Sequence, residues 1–163
     1  RTIEISRPAS GERLTIDVED VQADASYAII DDAKLQREGQ EKDIQATIFA
    51  SPEAIEPGME GLARELFTEV GPVDLFCRDA DGRTVVVEVK RVRATAAAIE
   101  QLTRYLQQVD RNPGHAPARG ILVAPDLAPQ ARVLLEDRGY DFVALDEVLA
   151  RCTDSEDSLM RLF

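Results

Sequence analysis

Two carboxylates and one ammonium group are spaced in this sequence so that they can meet. Asp74 lies on one predicted strand, and Glu88 and Lys90 lie near the end of the next. Because alternate residues of a strand point to the same face, Glu88 and Lys90 share a face, and strand pairing can bring Asp74 beside them. Neighbouring carboxylates repel each other, and a hard divalent cation such as Mg²⁺ relieves that repulsion. A lysine beside such a cation could position a water molecule for attack on a phosphate.

Three further residues are candidates for the same cluster. Gln101 and Tyr105 are spaced i, i+4 on a predicted helix, so they share a face that borders its apolar stripe. Glu41 is a carboxylate on the first predicted helix of the domain. A Glu-x-Lys pattern alone is common on solvated strands. Here it follows a run of valines at 85–87 that is apolar on both faces, which favours a functional role.

Several other kinds of site are excluded. His115 is the single histidine and stands in a loop rich in proline and glycine, which argues against Ser-His-Asp catalysis. Cys77 and Cys152 are too few for a structural zinc site or a disulfide framework. The segment 79–82 is predicted to be a hairpin turn and not a calcium loop, because basic residues stand where the later ligands of such a loop would be.

Length and composition predict a soluble globular domain. The chain has 163 residues, of which 44% are hydrophobic and 31% are charged. It has no apolar run that could span a membrane, and its first residues lack the apolar segment of a signal peptide. We therefore expect a cytoplasmic protein. Because the chain does not begin with methionine, we also expect it to start inside a longer protein.

The charge is distributed unevenly. The net charge of −12 argues against a general binder of polyanions. Residues 83–119, however, hold seven basic and three acidic residues, a local net charge of +4. This basic stretch contains Glu88 and Lys90, so a local site for phosphate groups is compatible with an acidic protein.

The apolar periodicities predict an α/β domain with a mixed β-sheet and helices on both sides. Two alternating segments at 3–5 and 14–18 predict a β-hairpin, and an acidic connector follows. The elements after it are predicted as helix 33–50, strands 62–70, 73–78 and 84–89, helix 96–110, strand 120–124, helix 128–138 and strand 142–145. The polar, acidic stretch 151–158 is predicted to be disordered, and the apolar segment 159–163 to dock on the chain itself or on a partner.

Three motifs in the order described resemble one class of enzymes. Gly71-Pro72-Val73-Asp74, then Glu88-Val89-Lys90, then Gln101 to Tyr105 resemble the RecB-like branch of the PD-(D/E)xK nucleases, which have a restriction-endonuclease-like fold. The longer segments 71–79, 87–91 and 100–106 and the terminal Arg-Leu-Phe resemble the NucS/EndoMS family of mismatch-specific endonucleases. Valine, and not the proline of the class name, directly precedes Asp74, as it does in NucS-like members.

The resemblance implies roles for the residues of the cluster. Asp74 and Glu88 would bind Mg²⁺ or Mn²⁺, with the carbonyl group of Val89 as a further ligand. Lys90 would help to activate the attacking water. Glu41 would hold a water ligand of the metal.

The same resemblance extends to residues around the cluster. Gln101 and Tyr105 would shape the site and the position of the phosphate. Arg91, Arg93 and Arg104 are expected from their charge to contact DNA phosphates.

The resemblance also implies substrate, partners and domain organisation. The family cuts both strands of duplex DNA around mismatches, acts as a homodimer and leaves 5′-phosphate ends. Residues 1–20 would end an N-terminal DNA-binding and dimerisation domain, 21–33 would be a linker, 34–150 the nuclease domain and 151–163 a flexible tail. In that tail Leu159, Leu162 and Phe163 would enter a pocket of the DNA sliding clamp.

Two alternatives remain open at the level of the sequence. One is a RecB-like nuclease that acts on branched or single-stranded DNA. The other is a non-catalytic module that binds the clamp through residues 159–163. The complete set of Asp74, Glu88 and Lys90 argues against an inactive nuclease.

Overall fold

The structure, a computed structural model, describes residues 2–7, 12–17 and 32–160. The chain divides into two units, Arg1–Asp31 and Asp32–Phe163. In the first unit, β1 (Thr2–Arg7) and β2 (Glu12–Asp17) pair antiparallel, which confirms the predicted hairpin. The predicted linker falls mostly on residues outside those described.

The second unit contains a five-stranded sheet in the order β3-β4-β5-β6-β7. Its elements are α1 (Asp32–Ala50), a single 3-10 turn (Pro52–Ala54), β3 (Glu60–Thr68), β4 (Gly71–Arg78), β5 (Thr84–Val89), α2 (Ala96–Val109), β6 (Arg119–Ala124), α3 (Pro129–Asp137), β7 (Asp141–Ala144) and α4 (Leu145–Met160). The pairs β3–β4 and β4–β5 are antiparallel, whereas β5–β6 and β6–β7 are parallel. The predicted mixed sheet and the predicted order of elements from α1 to β7 are therefore confirmed.

The strand β5 lies at the centre of this sheet and is covered on both faces. All six of its residues are buried, as the run of valines predicts. On one face, α2 and α3 contribute residues such as Ile99, Leu102 and Leu135 to a core that also contains Val86. On the other face, α1 and α4 contribute Ile48 and Val148.

The approach of α2 to the sheet depends on a glycine in β6. A β-carbon at Gly120 would lie 2.7 Å from Cδ1 of Leu106 and 3.3 Å from Cδ2 of Leu102. The absence of a side chain at this position lets the helix lie close to the strand. The helix that carries Gln101 and Tyr105 is thereby packed against the centre of the sheet.

The turn between β3 and β4 lies two residues earlier than the sequence predicts. We expected a strand to Val70, but β3 ends at Thr68 and β4 begins at Gly71. The hydroxyl of Thr68 donates a hydrogen bond of 2.6 Å to the carbonyl oxygen of Gly71, which closes the turn. Gly71 has a φ of 123°, a backbone conformation that favours glycine because glycine has no β-carbon.

The expectation of a flexible tail from residue 151 is wrong as far as Met160, because α4 continues through Met160. The acidic composition hides helical spacing: Leu145, Val148 and Cys152 are buried at i, i+3 and i+7. The first turn carries Asp146 and Glu147, where negative charge stabilises a helix. Residues 161–163 lie outside those described. Among the described helices, none combines the length and the apolar character of a membrane span.

Candidate active site

Asp74 lies where strands β4 and β5 stop pairing. Their ladder runs from Arg78 opposite Thr84 to Leu75 opposite Val87. Beyond this point, Oδ2 of Asp74 accepts a hydrogen bond of 2.8 Å from the backbone N–H of Val89. Burial raises the pKa of Asp74 to about 6, although this hydrogen bond and the positive charge of Lys90 both act to lower it. The predicted convergence of Asp74 with the end of β5 is observed.

Glu88 is completely buried, with 0% of its surface exposed. Among the described residues, the ammonium of Lys90 lies 2.7 Å from its Oε1, and its Oε2 has no hydrogen-bond donor. Burial, followed by the charge of Asp74, raises the pKa of Glu88 to about 8. A buried carboxylate oxygen without a donor is costly, so a further cation is expected at this position.

Lys90 joins two elements of the site. Its Nζ lies 2.7 Å from Oε1 of Glu88 and 3.8 Å from Oε1 of Glu41, which projects from α1. Burial opposes the charged ammonium, but the carboxylates of Glu88, Glu41 and Asp74 raise the pKa of Lys90 above its usual range. Lys90 is therefore an ammonium group at neutral pH and donates protons in hydrogen bonds without accepting any.

The helix α2 brings Gln101 and Tyr105 to the same place. Nε2 of Gln101 donates a hydrogen bond of 2.7 Å to the hydroxyl of Tyr105. Burial raises the pKa of Tyr105, and the negative charges of Glu88 and Asp74 raise it further. A β-carbon at Gly71 would lie 3.4 Å from this hydroxyl, so the tyrosine reaches the start of β4. The six residues predicted from the sequence as catalytic therefore lie on α1, β4, the end of β5 and α2 around one end of the sheet.

The donor set of this cluster fits a hard divalent cation. Glu41, Asp74 and Glu88 are three carboxylates near the single ammonium of Lys90, and Oε2 of Glu88 has no donor among the described residues. Within the described residues, no three acidic, histidine or cysteine side chains form a ready-made cage for a metal. Asp74 and Glu88 would therefore hold Mg²⁺ or Mn²⁺ together with ligands of other kinds, as is usual for Mg²⁺ beside phosphate groups.

The three predicted phosphate-binding arginines differ in their surroundings. Arg93 forms an ion pair of 3.1 Å with Asp126 and donates a hydrogen bond of 3.2 Å to the carbonyl oxygen of Leu127. Among the described residues, no ion-pair partner is found for Arg91 or Arg104, so their charges are available to a ligand. Asp126 was not among the predicted site residues, because a single acidic residue in a loop carries no recognisable spacing.

The side chains of the predicted clamp-binding residues lie outside the described part of the structure. The backbone of Leu159 lies in the last turn of α4, and Leu162 and Phe163 lie outside the described residues. A cavity of about 680 Å³ lies elsewhere, between the end of α1, the start of β3 and Arg151 of α4. None of its lining residues belongs to the carboxylate cluster.

Comparisons with known proteins agree with the geometry. Residues 40–160 match the family model described as the endonuclease NucS C-terminal domain. The chain is 43% identical to "Endonuclease NucS" of Arthrobacter sp. strain FB24 over 93% of its own length and 64% of the relative. It is 43% identical to the Streptomyces griseus protein of the same name, over 94% and 68% of the two chains.

Solved structures are similar in fold over most of the chain. An EndoMS complex with double-stranded DNA is 32% identical, with a TM-score of 0.58, and is matched over 88% of this chain and 59% of its own. A repair endonuclease from Pyrococcus abyssi is 31% identical, with a TM-score of 0.57 over 88% and 61%. The chain thus spans about three-fifths to two-thirds of the length of these relatives. The chain belongs to the endonuclease NucS family, whose C-terminal domain it contains.

Proposed function

We propose that this domain is the catalytic domain of a metal-dependent endonuclease that cleaves double-stranded DNA at mismatches during DNA repair. The observation that carries the proposal is Glu88, a fully buried carboxylate that lies beside Asp74, meets Lys90 at 2.7 Å through Oε1 and has no donor for Oε2 among the described residues. Membership of the endonuclease NucS family supports the reaction class. The similarity to a DNA complex of EndoMS supports the substrate.

Each residue of the cluster has its own proposed role in the reaction. Asp74 and Glu88 would hold the cation. A bound Mg²⁺ or Mn²⁺ would supply Lewis-acid stabilisation of the phosphate and lower the pKa of water. The ammonium of Lys90 orients the attacking water and stabilises negative charge on the phosphate. Glu41 accepts a hydrogen bond from a water molecule at the site and, with Glu88, keeps Lys90 charged.

Residues on α2 and in the loop after β5, which carries Arg91 and Arg93, position the substrate. Gln101 fixes the hydroxyl of Tyr105 by its hydrogen bond, so that both can contact the phosphate backbone at a defined place. Arg91 and Arg104 bind neighbouring phosphates. By its ion pair with Asp126, Arg93 stabilises the loop that carries Arg91. It contacts DNA only if its guanidinium binds a phosphate and the carboxylate of Asp126 at the same time.

We further propose that the whole protein acts as a homodimer in the cytoplasm and is recruited by the sliding clamp. Leu159, Leu162 and Phe163 would be the anchors of the clamp-binding segment. Mismatch recognition and dimerisation would depend on parts that the relatives have and this chain does not span.

The experiment compares cleavage of a duplex containing one G·T mismatch with cleavage of its matched control, in Mg²⁺ and in Mn²⁺. It uses the whole protein in which this chain occurs, with Glu88→Gln as the test variant. Glu147→Gln is the matched control, because Glu147 is an exposed glutamate on α4, a helix that carries none of the proposed catalytic residues. We expect mismatch-selective cleavage that is lost only in Glu88→Gln. Equal cleavage by Glu88→Gln would overturn the assignment of the site, and selective cleavage of flapped or single-stranded DNA would favour the RecB-like alternative.

A further inference from the structure

Glu65 in the edge strand β3 adopts an unusual backbone conformation. Its φ is 52°, and no other non-glycine residue in the described part of the chain has a positive φ. The left-handed region is unfavourable for a residue with a β-carbon, and a glutamate there is uncommon. Such a conformation persists only where its surroundings hold it, and it often occurs at functional sites.

The register places this residue opposite Asp74. Arg64 pairs with Leu75, and Leu66 pairs with Val73, so Glu65 is the residue of β3 that faces the position of Asp74 in β4. The alternation of burial along β3 is interrupted at the same point, because Glu65 and Leu66 are both partly buried. The positive φ of Glu65 thus coincides with the point at which the alternation along β3 changes phase.

The carboxylate of Glu65 binds helix α1. Its Oε1 lies 3.0 Å from Nζ of Lys42, the residue that directly follows Glu41. Glu41 in turn lies 3.8 Å from Nζ of Lys90. Because side chains on a helix are fixed relative to one another by its geometry, holding Lys42 also fixes the direction in which Glu41 projects.

The segment of α1 around Glu41 lies near the surface. Residues 39–43 are exposed or only partly buried, and among the residues of α1 whose side chains are described the buried ones are Gln45 and Ile48. The Lys42–Glu65 ion pair joins this segment to the sheet on the N-terminal side of Gln45. It does so at the strand position opposite Asp74.

We propose that Glu65 is a positioning residue, which through Lys42 holds the carboxylate of Glu41 toward Lys90. The inference rests on the proposed function of the site. Glu65 acts through Lys42 and not on the reacting atoms. Its strained backbone directs its carboxylate to the helix that carries Glu41.

The first experiment measures backbone hydrogen exchange at residues 40–44 and does not depend on activity. Glu65→Gln is compared with the wild type and with Glu69→Gln, a matched control that removes the Arg111 ion pair of 2.9 Å at the turn that follows β3. We expect faster exchange only in Glu65→Gln. Unchanged exchange would overturn the proposal whether or not the protein cleaves DNA. Lys42→Gln removes the same ion pair from an exposed side chain and serves if Glu65→Gln does not fold.

The second experiment measures single-turnover cleavage of the G·T duplex and the dissociation constant for DNA. We expect Glu65→Gln to slow cleavage by about fivefold, the upper range for an ion pair this exposed, with unchanged DNA affinity. The exchanged pair Lys42→Glu with Glu65→Lys should recover the rate. In a Glu41→Gln background Glu65→Gln should have no further effect, since positioning acts through Glu41. Additive losses in that double variant would overturn the proposal, whereas a wild-type protein that cuts no DNA would overturn only the proposed function.

Discussion

The carboxylate of Asp74 accepts a hydrogen bond from the backbone N–H of Val89 at 2.8 Å, across the point where their two strands stop pairing. An acidic side chain here takes the place of a backbone carbonyl. Asp74 is therefore both a proposed metal ligand and a structural link that holds the end of β5. The two roles can be separated, because the hydrogen bond needs an acceptor oxygen whereas the metal needs a negative charge.

Asp74→Ala and Asp74→Asn should both abolish cleavage but differ in stability. Alanine leaves the buried N–H of Val89 without its acceptor, which costs about 1–3 kcal/mol of unfolding free energy. Asparagine keeps a carbonyl oxygen at this position and should lose less. Urea denaturation of both variants measures the difference. Equal stability of the two variants would contradict the structural role of Asp74.

The stability of the metal-free protein should decrease as the pH rises from about 4.5 to about 8. Burial raises the pKa of Glu88 from 4.5 to about 8 and that of Asp74 from 3.8 to about 6. The folded state therefore binds more protons than the unfolded state in this range, and stability is lost as the pH rises.

Urea denaturation in EDTA at pH 5, 6.5 and 8 tests this dependence, with Glu88→Gln as the comparison. Glutamine carries no charge, so the variant should be less sensitive to pH and more stable than the wild type at pH 8. Parallel curves for the two proteins would show that Glu88 is not the group responsible.

Arg104→Gln should weaken the binding of DNA without selectivity for the mismatch. Arg104 is exposed on α2 and has no ion-pair partner among the described residues. Loss of one phosphate contact should lower the slope of the logarithm of affinity against the logarithm of salt concentration by about 1. Arg78→Gln is the matched control, because Arg78 lies at the opposite end of the β4–β5 ladder from Asp74. A loss confined to mismatched duplexes would instead indicate a contact with the bases.

Removal of residues 161–163 should abolish binding to the sliding clamp and leave cleavage of short duplexes unchanged. This segment follows α4 and contains the predicted anchors Leu162 and Phe163. Calorimetric titration of the clamp with the whole protein measures the affinity, and Phe163→Ala tests one anchor alone. Undiminished affinity after the deletion would exclude these two residues as anchors.

The sequence predicts most of the sheet and the centre of the site. The valine run of β5 indicates a central strand, and the two-residue spacing of Glu88 and Lys90 places both on one face. Pairing of β4 with β5 then brings Asp74 to them, and helical spacing brings Gln101 to Tyr105. These features depend on local periodicity and on neighbouring strands, which a sequence displays directly.

Other features depend on contacts between distant parts of the chain. Acidic residues conceal the apolar face of α4, so the sequence predicts disorder for residues 151–158, which the structure shows as helix. The partner of Arg93 is Asp126, in the loop after β6. The positive φ of Glu65 has no signal in its residue type, because glutamate is not favoured in that conformation. It occurs where β3 faces Asp74 and where the carboxylate binds Lys42, both of which depend on the folded chain.

The central position of β5 has a consequence for synthesis of the protein on the ribosome. The backbone N–H of Lys90 donates a hydrogen bond of 2.8 Å to the carbonyl oxygen of Val123, in a strand made after all the proposed catalytic groups. A parallel partner can join β5 only after the connecting helix has been made. A nascent chain therefore contains every proposed catalytic residue before these residues can assemble into the site. The growing polypeptide should acquire nuclease activity only after β6 has emerged and folded.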